Sequence, residues 1–241
     1  MRYFATASGP RVREAMRAGL LDQITTPASR NRLEPGAAWC ADNGIYSGAY
    51  PGDRSYLRWL AGLARLPGPH RCRFAVAPDV VADHHATLLR SWAMLRRIRW
   101  IGLPAALCAQ NGAQPDDLPW DYFDAVFLAG VAECTPCRYV PDPADLLEAQ
   151  TCPAGHQLAE WKTGPAAAAI TAEAKARGVW VHMGRVNTRA RILAAKRMGC
   201  DSADGTFLAY GPDQNLPSLL AWLSEPAVPS TVQLELFPPT S

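Results

Sequence analysis

The 241-residue sequence carries no excess of charge of either sign: 24 Lys and Arg stand against 22 Asp and Glu, charged residues make up 19% of the chain, and the formal net charge is +2. A uniformly basic nucleic-acid coat is therefore excluded, since sequence-independent binding to phosphates needs a concentrated positive surface. Long hydrophobic runs are also missing. The longest apolar stretches, such as the one around Ala166 to Ile170, fall far short of the roughly 20 residues a spanning helix needs. Met1-Arg2-Tyr3-Phe4 does not open a signal peptide, so the expected location is the cytoplasm. No G-x-G-x-x-G follows the first strand-like run, where Thr6-Ala7-Ser8-Gly9-Pro10 stands instead, which argues against an open dinucleotide-binding sheet. What is present is enough to fill a core: apolar residues make up 49% and aromatics 9%, far from a disordered composition.

Cysteine is plentiful by contrast, with seven residues, but the odd count and the missing export signal point to reduced thiols or metal ligands over a disulfide framework. Cys40, Cys72, Cys108 and Cys200 sit inside apolar runs and read as small buried hydrophobes. The other three cluster. Cys134-x2-Cys137-x14-Cys152-x3-His156 offers four ligands at spacings suited to a structural zinc knuckle, and four protein ligands leave no open position for catalysis.

Apolar periodicity predicts strands near 2 to 6, 23 to 26, 37 to 41, 73 to 77, 104 to 108, 125 to 128, 179 to 183 and 200 to 204. Helical patterns fall at about 10 to 21, 53 to 65, 83 to 98, 165 to 177 and 187 to 198, the last with Asn187 as its expected N-cap and Gly178 and Gly199 as stops. Eight near-continuous apolar strands alternating with helices predict an α/β fold, a (β/α)8 TIM-like barrel, with an open doubly wound sheet as the alternative. The reading is one catalytic domain over 1 to 223, an irregular Cys-rich insertion at 132 to 160 after the sixth strand, and a flexible tail at 224 to 241.

In such a barrel the chemistry gathers at the C-terminal ends of the strands. Those ends read Ala41-Asp42-Asn43-Gly44, Ala77-Pro78-Asp79, Ala109-Gln110-Asn111-Gly112, Ala129-Gly130, His182-Met183-Gly184-Arg185 and Asp201-Ser202-Ala203-Asp204-Gly205. Any one Asp beside Gly or Pro is ordinary turn chemistry, but turn caps need not fall at the same end of successive strands. Two acids on one rim suit glycosidic-bond chemistry, one attacking the anomeric carbon and one moving the proton. A metal-dependent hydrolase would show more histidine, and His182 is the only strand-end histidine; His84 and His85 read as surface or capping residues at a helix start.

Asp42-Asn43-Gly44-Ile45-Tyr46, Asp79, Ala109-Gln110-Asn111-Gly112, Phe127-Leu128-Ala129-Gly130, His182-Met183-Gly184 and Gly199-Cys200-Asp201-Ser202-Ala203-Asp204 occur in this order. Over roughly residues 38 to 215 the chain thus resembles the tRNA-guanine (queuine tRNA-ribosyltransferase-like) transglycosylases. It is most similar to the shortened phage-type members that place 7-deazaguanine bases in DNA (the DpdA group). The resemblance implies that Asp204 is the nucleophile at C1′, Asp42 the acid/base, and Asp79 the reader of the guanine-like donor edge. It implies further that Gln110 and the Gly130 backbone read the carbonyl edge, that Tyr46 and Met183 sandwich the base, and that Gly184 is among the substrate-binding residues. The partners it implies are DNA and a preQ0-like 7-deazaguanine, in a bacterial or phage-infected cell.

Arg185, Arg189, Arg191, Lys196 and Arg197 supply positive charge near the last two strands, with Arg185 and Arg189 the expected nucleic-acid contacts, against a solvated helix face. The tRNA enzymes carry zinc after the nucleophile, whereas only about 37 residues and no cysteine follow Asp204 here, which speaks against tRNA. The alternatives are a tRNA-type exchange, a nucleosidase or glycosidase on the same barrel, and a zinc-bearing DNA-binding protein without catalysis. In the tail, Gln233-Leu234-Glu235-Leu236-Phe237 resembles the peptide that docks bacterial DNA enzymes on the replication sliding clamp, against fold-back packing on the barrel.

Overall fold

Side chains along each strand alternate between two apolar environments. Phe4, Ile24, Cys40, Phe74, Val76, Ala106, Cys108 and Ala125 fill one cluster, while Tyr3, Ala5, Ala75, Leu107, Val126, Leu128 and Val181 join a larger one beneath the helices. A sheet buried on both faces is either covered by helices on both, or covered on one and closed on itself as in a barrel, and the strand pairing decides between the two. The computed structural model describes residues 1–29, 31–66, 71–134, 136–137, 139–141 and 150–227. Its elements run β1 (Arg2–Ala5), α1 (Pro10–Arg17), β2 (Asp22–Thr25), β3 (Trp39–Ala41), α2 (Asp53–Ala64), β4 (Cys72–Val76), α3 (His84–Trp100), β5 (Ala105–Ala109) and β6 (Ala125–Leu128). Then follow β7 (Ala132–Glu133), β8 (Ala159–Glu160), α4 (Pro165–Ala176), β9 (Trp180–Met183), α5 (Arg189–Met198), β10 (Ser202–Asp204) and α6 (Pro212–Ser224).

The sheet is a closed barrel in the order β1-β10-β9-β6-β5-β4-β3-β2, parallel throughout. This is the (β/α)8 TIM-like fold. Short 3-10 turns at Pro115–Asp117 and Trp120–Tyr122 stand between β5 and β6 in place of an α-helix. Local chemistry sets the helix ends: Asp83 caps α3 by accepting from the Ala86 N–H, and Gly199 ends α5 at φ 86°. The N-cap of α5 is Thr188, not Asn187, because the Asn187 Oδ1 is drawn away to the Thr206 N–H at 2.6 Å.

The insertion after β6 has a stem. β7 and β8 pair antiparallel, and bridges at Cys134 with Tyr139 and Thr151 with Gln157 carry pairing into the Cys-rich segment. Among the described residues no helix is long and apolar enough to cross a membrane. The tail beyond residue 227, Gln233 and Phe237 included, lies outside the described residues.

Candidate active site

Three carboxylates from three strands meet at one end of the barrel. Asp42 follows β3, Asp79 follows β4, Asp204 ends β10, and all three line one pocket of about 230 Å³ with Tyr46, Phe127 and Arg185. Sites that enclose drug-sized ligands run to about 300–1,000 Å³, so this one suits a single base-sized ring.

Strand alternation decides which acid of β10 enters the pocket. Ser202 and Asp204 share the inner face, while Asp201, just before the strand, takes the Lys175 Nζ at 2.5 Å and the Val181 N–H at 2.8 Å and does not line the pocket. The Asp204 side chain is 16% exposed; its Oδ1 lies 2.9 Å from His182 Nε2 and accepts the Arg185 N–H at 3.3 Å. Asp42 is pushed up to about 7, first by burial and then by the charges of Asp204 and Asp79. A group poised there can give and take a proton near neutral pH. Asp79 is buried, and Asn43 Nδ2 donates to its Oδ1 at 2.9 Å and Gln110 Nε2 to its Oδ2 at 2.6 Å. Burial raises its carboxyl in spite of these donors.

Several expected roles meet different surroundings. Met183 is 1% exposed and packs in the outer cluster beneath the helices, because β9 turns His182 inward; it does not line the pocket. The apolar ring there, beside Tyr46, is Phe127. The Gly130 backbone is not free to read a base edge: its N–H goes to the Ala109 carbonyl at 3.2 Å and its carbonyl accepts from Arg185 Nη2 at 3.0 Å. A Cβ at Gly130 would lie 2.3 Å from the Trp161 ring, so that glycine serves packing. Gln110 lines the pocket, but its Oε1 accepts the Ala82 N–H and its Nε2 holds Asp79, so it acts through Asp79. Gly184 gives room to Phe127, whose ring would stand 2.4 Å from a Cβ.

The basic cluster divides. The Arg189 guanidinium is held by Glu225 at 2.6 Å, Arg191 pairs with Glu160, and Lys196 Nζ caps the end of α6 through the carbonyls of Trp222, Leu223 and Glu225. Arg189 and Lys196 tie α5 to the end of α6 and Arg191 ties it to β8, so Arg189 is not a free phosphate contact. Arg185 is different: its guanidinium lies at the pocket and has no carboxylate within ion-pair distance among the described residues. His84 is not a surface residue. It is 4% exposed, neither ring nitrogen has a partner among the described residues, and burial lowers its pKa.

Residues that sequence reasoning passed over include Asn43 and Lys162. Asn43 follows Asp42 directly and joins it to Asp79, a role its place in the rim motif could have suggested. Lys162 is 2% exposed and donates from Nζ to the Gly184 carbonyl at 2.8 Å; burial lowers it to about 8. No local pattern marks it, since it follows an irregular stretch.

The second cluster is Cys134, Cys137, Cys152 and His156, whose ligand atoms all lie within 4.8 Å of one another. The sulfurs stand 3.7, 3.9 and 3.7 Å from His156 Nδ1, a little beyond the roughly 3.6 Å sulfur–nitrogen edge of a tetrahedron with zinc–sulfur bonds of about 2.3 Å and zinc–nitrogen bonds of about 2.05 Å. Cys137 Sγ is closer to Cys134 and Cys152, at 2.7 and 3.4 Å. The set can hold a metal ion.

No family model matches the chain, and no curated protein matches it. Solved structures that resemble it include the BexX/CysO complex of Amycolatopsis orientalis (TM-score 0.49, 16% identity, 92% of this chain and 89% of that chain). Others are a 3-hexulose-6-phosphate synthase (0.47, 12%, 93% and 100%) and the tryptophan synthase complex of Pyrococcus furiosus (0.47, 12%, 92% and 96%). The fold itself is read from the strand order.

Proposed function

We propose that this protein is an enzyme, a transglycosylase that replaces guanine in DNA with a 7-deazaguanine. The observation that carries the reading is the convergence of Asp42, Asp79 and Asp204 in one pocket, with Asp42 raised to about 7. Asp204 attacks C1′ of the target deoxynucleotide, the bond from C1′ to the base breaks, and protonated Asp42 gives its proton to the leaving guanine. The incoming base then loses its ring proton to the Asp42 carboxylate as it attacks C1′, and the ester to Asp204 breaks. Two displacements retain configuration. Asp79, held by Asn43 and Gln110, accepts from the N1–H and amino group of the base. Phe127 joins Tyr46 as the aromatic wall in place of Met183. The target must leave the duplex stack to be reached, and Arg185 meets its phosphate.

Cys134, Cys137, Cys152 and His156 hold a structural zinc, a Cys3His set being of the closed structural type. Gln233 to Phe237 dock on a sliding clamp, which would keep an enzyme of net charge +2 near DNA. Titrating the 224 to 241 peptide against a bacterial clamp tests this; no binding removes the docking.

The test of the activity is mass spectrometry of nucleosides from DNA incubated with the protein and a 7-deazaguanine base. Incorporation with release of guanine is expected, and Asp204→Asn abolishes it. Abasic sites would mean a water-using glycosidase, exchange confined to tRNA would mean the tRNA activity, and unaltered DNA that is nonetheless bound would mean a binding protein.

A further inference from the structure

The apolar interior of the barrel is crossed by one polar line. Phe4, Phe74 and Phe127 surround the His182 imidazole, with ring centroids 5.8, 5.0 and 4.5 Å away. His182 and Ser202 are both fully buried. Polar groups in such a place are costly unless hydrogen-bonded, and here each one is. Trp180 Nε1 donates to Ser202 Oγ at 2.8 Å, Ser202 Oγ lies 2.9 Å from His182 Nδ1, and His182 Nε2 lies 2.9 Å from Asp204 Oδ1.

The donor inventory gives this line a direction. An indole N–H can only donate, and a serine hydroxyl has a single hydrogen. With Ser202 Oγ accepting from Trp180, the hydroxyl hydrogen has His182 Nδ1 as its acceptor. A neutral His182 then carries its proton on Nε2 and donates to Asp204. Which ring nitrogen is protonated is set by the bond the other one makes.

We propose that Trp180, Ser202 and His182 form a directional relay that fixes the imidazole as its Nε2–H tautomer and makes His182 a positioning residue for Asp204. The role assigned to Asp204 rests on the base-exchange reading; the tautomer does not. His182 and the Arg185 N–H both bind Oδ1, while Oδ2 has no protein donor among the described residues. Oδ2 is therefore the oxygen left to attack. A merely structural role for the line predicts something different. A phenyl ring fits among three phenylalanines, so His182→Phe keeps the packing and leaves only the buried Ser202 hydroxyl without its acceptor, a cost that lowers stability without unfolding the barrel. Loss of the imidazole should then cost turnover and leave the fold intact.

Long-range 1H–15N correlation spectra of the 15N-labelled full chain read the tautomer without substrate. A protonated Nε2 and an unprotonated Nδ1 are expected for neutral His182. In the exchange assay His182→Phe should lower the rate about 100-fold, the scale of a misplaced reacting group, while its far-ultraviolet spectrum at the assay temperature stays that of the folded wild type. His182→Gln, whose amide N–H stands in for Nε2–H, should recover about tenfold of that loss. A protonated Nδ1 in the wild-type protein overturns the relay. Wild-type exchange by His182→Phe, with Asp204→Asn inactive, overturns the positioning role. An active Asp204→Asn would instead remove the nucleophile assignment, and the 15N shifts would still decide the tautomer.

Discussion

The guanidinium of Arg185 lies over the ring of Tyr46, 4.1 Å from its centroid, while its Nη2 spans the carbonyls of Ala129 and Gly130 at 2.6 and 3.0 Å. Arg185 reaches this place from a left-handed backbone, φ 60°, a conformation that costs a non-glycine residue about 1–2 kcal/mol. The cation is thus fixed at the pocket by stacking and by carbonyl oxygens, and an incoming phosphate would meet no carboxylate paired with it among the described residues. Arg185→Ala should weaken DNA binding and lower the slope of log K against log salt by about 0.9, the share of one phosphate contact. Arg185→Lys should restore little, because a lysine lacks the planar fork that stacks on Tyr46. Anisotropy titrations at several salt concentrations check this; an unchanged slope would place the phosphate contact elsewhere.

The raised pKa of Asp42 has a sign that can be measured. Its carboxyl titrates near 7 in the folded chain against 3.8 as a free group, so between those values the folded state holds more protons than the unfolded one. Stability then falls as pH rises through this window and levels off above it. Asp42→Asn should remove that slope and make the protein more stable than wild type at pH 8, while abolishing the limb of the exchange rate near pH 7. Thermal melts from pH 5 to pH 8 compare the two proteins, and parallel curves would show that Asp42 is not buried against its neighbours' charge.

The barrel could be read from the sequence because most strands are short apolar runs, and β3, β4, β5 and β10 carry an Asp or Gln at or just past their C-terminal ends; β2, Asp22-Gln23-Ile24-Thr25, has no such run. Asp42, Asp79 and Asp204 share a rim for that reason, and all three line the pocket. The direction of individual side chains was harder to read. Met183 and His182 are adjacent, and a two-residue period assigns them to opposite faces without saying which is which. Register with Ser202 and Ala203 on β10 settles it in favour of His182. Arg189, Arg191 and Lys196 look like an unpaired basic face in sequence because their partners, Glu160 and Glu225, lie roughly 30 residues away on either side. The stem of the insertion was missed because two-residue strands carry no period at all.

Asp201, just before β10, and Asp204, at its end, offer a comparison within one motif. Asp201 serves the fold: it accepts from Lys175 and from the Val181 N–H and does not line the pocket. Asp201→Asn should lose about 1 kcal/mol of stability, the worth of a partly exposed charge-assisted bond, and retain exchange. Asp204→Asn should keep the fold and lose exchange, with no glycosyl-enzyme adduct seen by intact-protein mass spectrometry. The reverse pattern would exchange the two assignments.

The Cys-rich insertion is tied to the pocket by its stem. β7 begins two residues after Gly130, and β8 leads directly into Trp161, whose ring covers Gly130, and then into Lys162, which holds the Gly184 carbonyl. Metal in the Cys134, Cys137, Cys152, His156 set would close a loop between the two stem strands, and closing such a loop is what lets a short segment fold without a core of its own. Metal analysis of the full-length protein should give about one zinc per chain, and Cys134→Ser with Cys137→Ser should lose it. Because the barrel closes without the insertion, the metal-free variant should keep its far-ultraviolet spectrum and be cut by protease between residues 132 and 160. With Trp161 loosened, Gly130 no longer holds the Arg185 guanidinium in place, and DNA affinity should fall together with the metal. Wild-type protein from zinc-replete cells that carries no metal would remove the site. Metal loss with protease resistance and DNA affinity unchanged would uncouple it from the pocket.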